Sequence, residues 1–234
     1  TRHYDHRWQA FKARFLTGNT PIGEITHLWY RHEEQGRGSL HVHAAVWVLA
    51  GTARPEAIVA VAPRGPDFDP LDEEGSPERE PTAGMTVEER TWRTFILSVQ
   101  RHDCREGCHW KHGERRSDTF CKSGYPRRIW SVTELDERHQ PPPPGEQGLA
   151  GAQPGDPIRV KLSTDIDRYE YRTELPEDER LSPYVPLWSL AWGANMNIQF
   201  CTAAGFLGYI SKYVPTPEPS GRAEDNVHLR RREN

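Results

Sequence analysis

Two apolar, alternating runs, EITHLWYRHEEQ (24–35) and SLHVHAAVWVLA (39–50), are separated only by Gly36-Arg37-Gly38. Glycines flanking so short a connection, between runs rich in β-branched and aromatic residues, predict an antiparallel hairpin. Few other features constrain a chain as tightly, because alternate residues of each strand must point to opposite faces. His41 and His43 therefore project together, while Val42, Ala44 and Val46 point the other way, into a core. A lone hairpin is marginal in water, so other elements must cover the apolar face.

The rest of the sequence supplies them. Tyr4, Trp8, Phe11 and Phe15 recur at spacings of four, three and four, an aromatic stripe along a helix that Gly18 and Asn19 can end. Thr86 and Glu89 have the spacing of a capping box ahead of a helix through Trp92, Phe95, Ile96 and Val99. RVKLSTDIDRYEYRTEL (159–175) alternates like a strand pair, NMNIQF (195–200) reads as a further strand, and TAAGFLGYISKYV (202–214) as a short helix stopped by Pro215. Helices interleaved with hairpin strands, without a regular strand-helix-strand rhythm, predict an α+β fold around a central antiparallel sheet with flanking helices. We read residues 1–234 as a single domain. Within it we expect an acidic linker (51–85), a Cys/His-rich loop (101–128), a Pro/Gly-rich disordered loop (133–157) and a polar tail (215–234). No run approaches the roughly 18 apolar residues of a membrane span, and the first residues lack the apolar core of a secretion signal. The expectation is a soluble, intracellular protein; Thr1, which is no initiator, suggests that the chain is cut from a longer polypeptide.

The net charge of −4 conceals a segregation that matters for partners. Residues 51–90 hold ten acids against four arginines, whereas residues 91–130 hold nine Lys/Arg against four acids. Because that acidic excess sits mostly in a solvated Pro/Gly-rich stretch, the chain has room for a basic DNA-facing surface, which charge alone does not establish. Arg31, Arg37, Lys111, Arg115, Arg116, Arg127 and Arg128 are the candidate DNA contacts.

Two imidazoles on one strand face can share a metal ion. Glu33, Glu34 and Gln35 end the partner strand across the turn, so one of them can complete a two-histidine-plus-carboxylate site with positions left for water or phosphate. Cupin barrels also use His-x-His but want a glutamate about four residues downstream, where AAVWVL has none. Tyr209 and Tyr213, four apart, share a helix face with Lys212 beside them. A tyrosine held near a divalent metal can attack a phosphodiester and form a covalent phosphotyrosine.

The stretch QRHDCREGCHWKHGERRSDTFCKSGYP (100–126) brings His102, Cys104, Cys108, His109, His112 and Cys121 close in sequence. Three thiolates and one imidazole make a closed tetrahedral zinc site. The charged surroundings suit a metal site in a reducing compartment better than a disulfide framework or a packed core. Cys201, alone, reads as a small core residue.

These motifs occur together in one known family. WYRHEEQGRGSLHVHAAVWV, SPYVPLWSLAWGANMNIQF and YISKYV resemble the replication-initiator (Rep) domain of Helitron transposons, of the two-tyrosine type in the HUH single-strand endonuclease superfamily. Arg31, Glu33, Gln35, Arg37, Gly38, His41 and His43 match its pattern position by position; Glu34, Asn197 and Thr216 depart from it. The resemblance implies a central sheet with the histidine pair on an inner strand and the tyrosine helix packed across it. It implies Mg²⁺ or Mn²⁺ held by His41, His43 and Glu33, with Gln35 nearby and Glu34 in reserve. It implies Tyr209 or Tyr213 as nucleophile aided by Lys212, and zinc on Cys104, Cys108, Cys121 and His102, with His109 in reserve. The implied activity is nicking and rejoining of single-stranded DNA in rolling-circle-like transposition, with a helicase in the same polypeptide. The setting would be nuclear for a eukaryotic transposon and cytoplasmic otherwise. Two other readings compete: a plasmid or phage rolling-circle initiator, and a catalytically silent DNA-binding remnant.

Overall fold

The computed structural model describes residues 2–35, 39–68, 80–127, 129, 160–163, 168–171, 173–201, 206–207 and 210–211. The turn containing Arg37, the middle of the acidic stretch, Arg128, the Pro/Gly-rich loop, Tyr209, Lys212, Tyr213 and the polar tail lie outside the described residues, as do the side chains of Glu34 and Gln35.

Helix α1 (Arg2–Phe15) forms where the aromatic stripe predicts it, with Lys12 and Arg14 in its last turn, where the helix dipole favours cations. Trp8 is buried, and Phe11 and Phe15 pack beside it. The chain then enters a three-stranded antiparallel sheet of order β1 (Gly18–Thr20), β2 (Gly23–Gln35) and β3 (Ser39–Val48). The turn into β2 requires Gly23: its φ is +119°, and a Cβ there would collide with the Thr52 carbonyl. The β2–β3 register pairs Tyr30 with Ala44, His32 with Val42 and Glu33 with His41. Leu28, Tyr30, Val42 and Val46 accordingly face the Trp8 core. His32 shares that face, ringed by Tyr4, Trp8 and Tyr30 at 5.6–6.3 Å. Among the described strands β3 has one neighbour, β2, so here the histidine pair stands at the sheet's edge.

The stretch read as an acidic linker begins differently from expectation. Ile58, Ala60 and Ala62 are buried, and Val59 exchanges two backbone hydrogen bonds with Tyr184, each 2.9 Å. Averaging charge over 51–85 hid this short alternation, which makes residues 55–62 part of the core. Helix α2 (Val87–Val99) follows, opened by the expected capping box: Thr86 Oγ1 accepts the Glu89 N–H, and Glu89 accepts the Thr86 N–H. Its Ile96 joins Ala62, Leu181 and Tyr184 in a second core cluster.

Polar groups tie these layers together. Asp178 is fully buried and accepts the Ala62 and Leu175 N–H groups at 2.9 and 3.0 Å and the Arg64 guanidinium. Arg93 reaches Pro63 O and Glu177. Gln100 Nε2 donates to Ser189 Oγ at 3.0 Å, linking α2 to helix α3 (Pro186–Trp192). Helix α3 starts with proline and stops at left-handed Gly193, and its Trp192 meets Tyr4, Trp8 and Phe11 of α1.

Two small hairpins complete the described chain: β4 (Trp110–Lys111) with β5 (Glu114–Arg115), and β6 (Val160–Ser163) with β7 (Arg168–Tyr171). The strand expected at 195–200 is absent. Ile198 N–H does reach Pro183 O at 2.9 Å, but proline has no N–H to return, so no ladder propagates. Cys201 is exposed rather than in the core. Among the described residues no helix is long and apolar enough to cross a membrane.

Candidate metal centres

The first site follows from the hairpin register. Because Glu33 lies directly opposite His41, and His43 two residues along β3, all three side chains emerge from one face. His43 Nε2 lies 2.7 Å from Glu33 Oε2, His41 Nε2 lies 3.2 Å from it, and the two imidazole nitrogens are 2.9 Å apart. These three edges bracket the roughly 3.0 Å separation of adjacent ligands around a small octahedral cation. Three mutually adjacent donors leave the opposite positions open. Burial pulls the His43 imidazole below its ordinary pKa, opposed by its bond to Glu33; the neutral ring is the ligating form. His41 Nδ1 is buried with no hydrogen-bond partner among the described residues. Arg31 is paired in register with His43 and so shares this face.

The second site is built by the loop after α2. Cys104, Cys108, Cys121 and His102 place their donor atoms within 4.8 Å of one another. His102 Nε2 is 3.6 Å from the Cys108 sulfur and 3.3 Å from that of Cys121, close to the ~3.6 Å N···S edge of a zinc tetrahedron. This group can hold a metal ion such as zinc. His109 stands apart, hydrogen-bonded through Nδ1 to Phe120 O at 2.7 Å, and His112 forms the β4–β5 turn with φ +55°. His102 is therefore the imidazole of the cluster. It stacks on Tyr125 at 4.4 Å and 14°, and the Tyr125 hydroxyl meets Ser182 Oγ at 3.2 Å. Burial pushes the Cys104 thiol up against the pull of a hydrogen bond from Arg180. For Cys121 burial acts in the same sense, but the N–H groups of Tyr125 and Ser123 outweigh it and hold the thiol below its usual range.

The basic residues of this loop are largely paired within it. Arg115 binds Glu106 at 2.7 Å and also Asp118, Arg116 lies 3.3 Å from Glu114, and Lys111 stands opposite Glu114. Arg127 packs over the Tyr125 ring.

Sequence reasoning missed Arg180, Tyr125 and the contact of Trp47 with Phe206. Arg180 lies 76 positions from the cysteine it touches, and no local pattern links them. Phe206, by contrast, lies three residues before Tyr209 in a segment already singled out, and its ring sits 5.2 Å from that of Trp47, on the face of His41 and His43.

The described residues define a mixed α+β protein with small antiparallel sheets and two convergent donor sets, one thiolate-rich and one of carboxylate and imidazole. Comparison with family models, with curated proteins and with solved structures finds no match for this chain.

Proposed function

We propose that this chain is a metal-dependent single-stranded DNA endonuclease and strand transferase of the two-tyrosine HUH type, similar to Helitron Rep domains. The observation that carries the reading is the convergence of Glu33, His41 and His43 on one strand face onto which Phe206, from the tyrosine-bearing segment, also packs. The donor set suits Mg²⁺ or Mn²⁺ through its hard carboxylate and its open positions. When bound, such an ion polarises a non-bridging oxygen of the scissile phosphate.

In this reading the phenol of Tyr209 or Tyr213 gives its proton to solvent, its oxygen attacks phosphorus, and the departing 3′ oxygen takes a proton back from solvent. The bond to the 3′ oxygen breaks, leaving a free 3′ hydroxyl and the 5′ phosphate on tyrosine. One phosphodiester replaces another, so the bond is kept for rejoining. A second tyrosine allows one to hold a donor end while the other cuts. Lys212 supplies positive charge beside the phenols, Arg31 offers a cation on the ligand face, and the Cys/His cluster holds structural zinc.

The test is a covalent adduct assay. With Mn²⁺ and single-stranded oligonucleotides, the protein should yield a protein–DNA band on denaturing gels. The double variant Tyr209→Phe, Tyr213→Phe should yield none, and an adduct that persists in it overturns the nucleophile assignment. DNA binding without any adduct from the unaltered chain would favour the silent-remnant reading.

A further inference from the structure

Trp47 is a large aromatic on the outward face of β3, 41% exposed, and metal binding gives it no task. In register it faces His27, and it lies four residues from His43, about 13 Å at ~3.3 Å per residue. His27 meets its ring edge-on at 6.4 Å, and Phe206 at 5.2 Å with the planes 69° apart. Ala45, between His43 and Trp47 on the same face, is only 7% exposed, so this face is covered there although it points away from the Trp8 core. Beyond Phe206, the Ser211 N–H donates to Leu207 O at 3.1 Å, the i to i−4 bond of an α-helical turn. Phe206 precedes Tyr209 by three positions and Tyr213 by seven.

We infer that Trp47 is a positioning residue, the seat on which the tyrosine-bearing segment docks against the strand face that carries Glu33, His41 and His43. Its consequence for catalysis rests on the function proposed above; the docking itself does not. Edge-to-face rings are directional contacts, so this pair fixes where the turn sits as well as holding it down. Placing ligands and seat on one rigid hairpin keeps nucleophile and phosphate in register, where a displacement of about 1 Å can cost on the order of a hundredfold in rate.

Amide hydrogen exchange and adduct formation test this together, on the full chain. Trp47→Ala and Phe206→Ala should each speed exchange at Ser211 by about tenfold or more, while hairpin amides stay protected and Mn²⁺ affinity stays within about twofold, since neither residue is a ligand. At saturating oligonucleotide the adduct rate should fall on the order of tenfold to a hundredfold. Trp47→Phe, which keeps a ring, should retain most of it. The double variant should be no slower than either single one, because both remove the same contact. Unchanged exchange at Ser211, equal loss of protection throughout the hairpin, or fully additive rate effects would overturn the inference. If exchange responds as described while the unaltered chain forms no adduct, the docking stands and the nuclease reading fails.

Discussion

Arg180 donates from Nη1 to the sulfur of Cys104 at 3.4 Å, while its own carbonyl accepts the His102 N–H at 2.7 Å. One residue thus touches two members of the Cys/His cluster, by side chain and by main chain. Three thiolates and a neutral imidazole around a Zn²⁺ ion would leave one net negative charge, which the guanidinium would offset.

Purified protein should contain close to one zinc per chain by elemental analysis. Cys104→Ser and His102→Ala should lose it. Arg180→Met should weaken zinc roughly tenfold to a hundredfold in chelator competition, the usual cost of removing a partner of a ligand. Arg180→Lys should recover part of that loss. Protein without zinc would sink the assignment.

The carboxylate–histidine site should separate chemistry from DNA affinity. His41→Ala and Glu33→Ala should abolish cleavage and weaken Mn²⁺ binding by more than about tenfold, with oligonucleotide binding largely intact. Equal loss of binding and cleavage would point instead to a folding role for the hairpin.

Asp178 is the buried acceptor that joins residues 62–64 to 174–178. Asp178→Ala leaves the Arg64 guanidinium and three amides, of Ala62, Glu174 and Leu175, without it, and should cost about 3 kcal/mol. A lower urea midpoint with an unchanged slope would report this as lost stability. A wild-type midpoint would show that the network is dispensable.

The cap of α2 should respond to acid. Hydrogen bonds from the Thr86 N–H and hydroxyl hold the Glu89 carboxyl below its usual range. Its folded pKa being depressed, the stability it contributes is complete above the ordinary carboxylate value of about 4.3 and is lost as pH falls through the folded value. Glu89→Gln should remove this acid-dependent component. An identical pH profile for the variant would show that the carboxylate does not stabilise the cap.

Much of this protein follows from short-range pattern. Alternation in β2 and β3 separates Tyr30 and Val42 from Glu33 and His41; the spacing of Trp8 and Phe11 predicts α1; Thr86 and Glu89 mark the start of α2. Each depends on residues near one another in sequence, for which backbone period determines the face. The sequence by itself therefore determined the hairpin, its histidine face and the clustering of Cys104, Cys108 and Cys121. The resemblance put His102 with those cysteines and kept His109 in reserve; only the tertiary structure supplies the physical distinction between them, Tyr125 stacked on one and Phe120 O bonded to the other. It likewise made Ile58 to Ala62 core and denied residues 195–200 a ladder, since burial and backbone pairing there depend on Tyr184 and Pro183, more than a hundred residues away in the first case. The meeting of Trp47 with Phe206 is of the same kind: a contact between distant segments, invisible to any local period, that sets Phe206 against the outward face of β3.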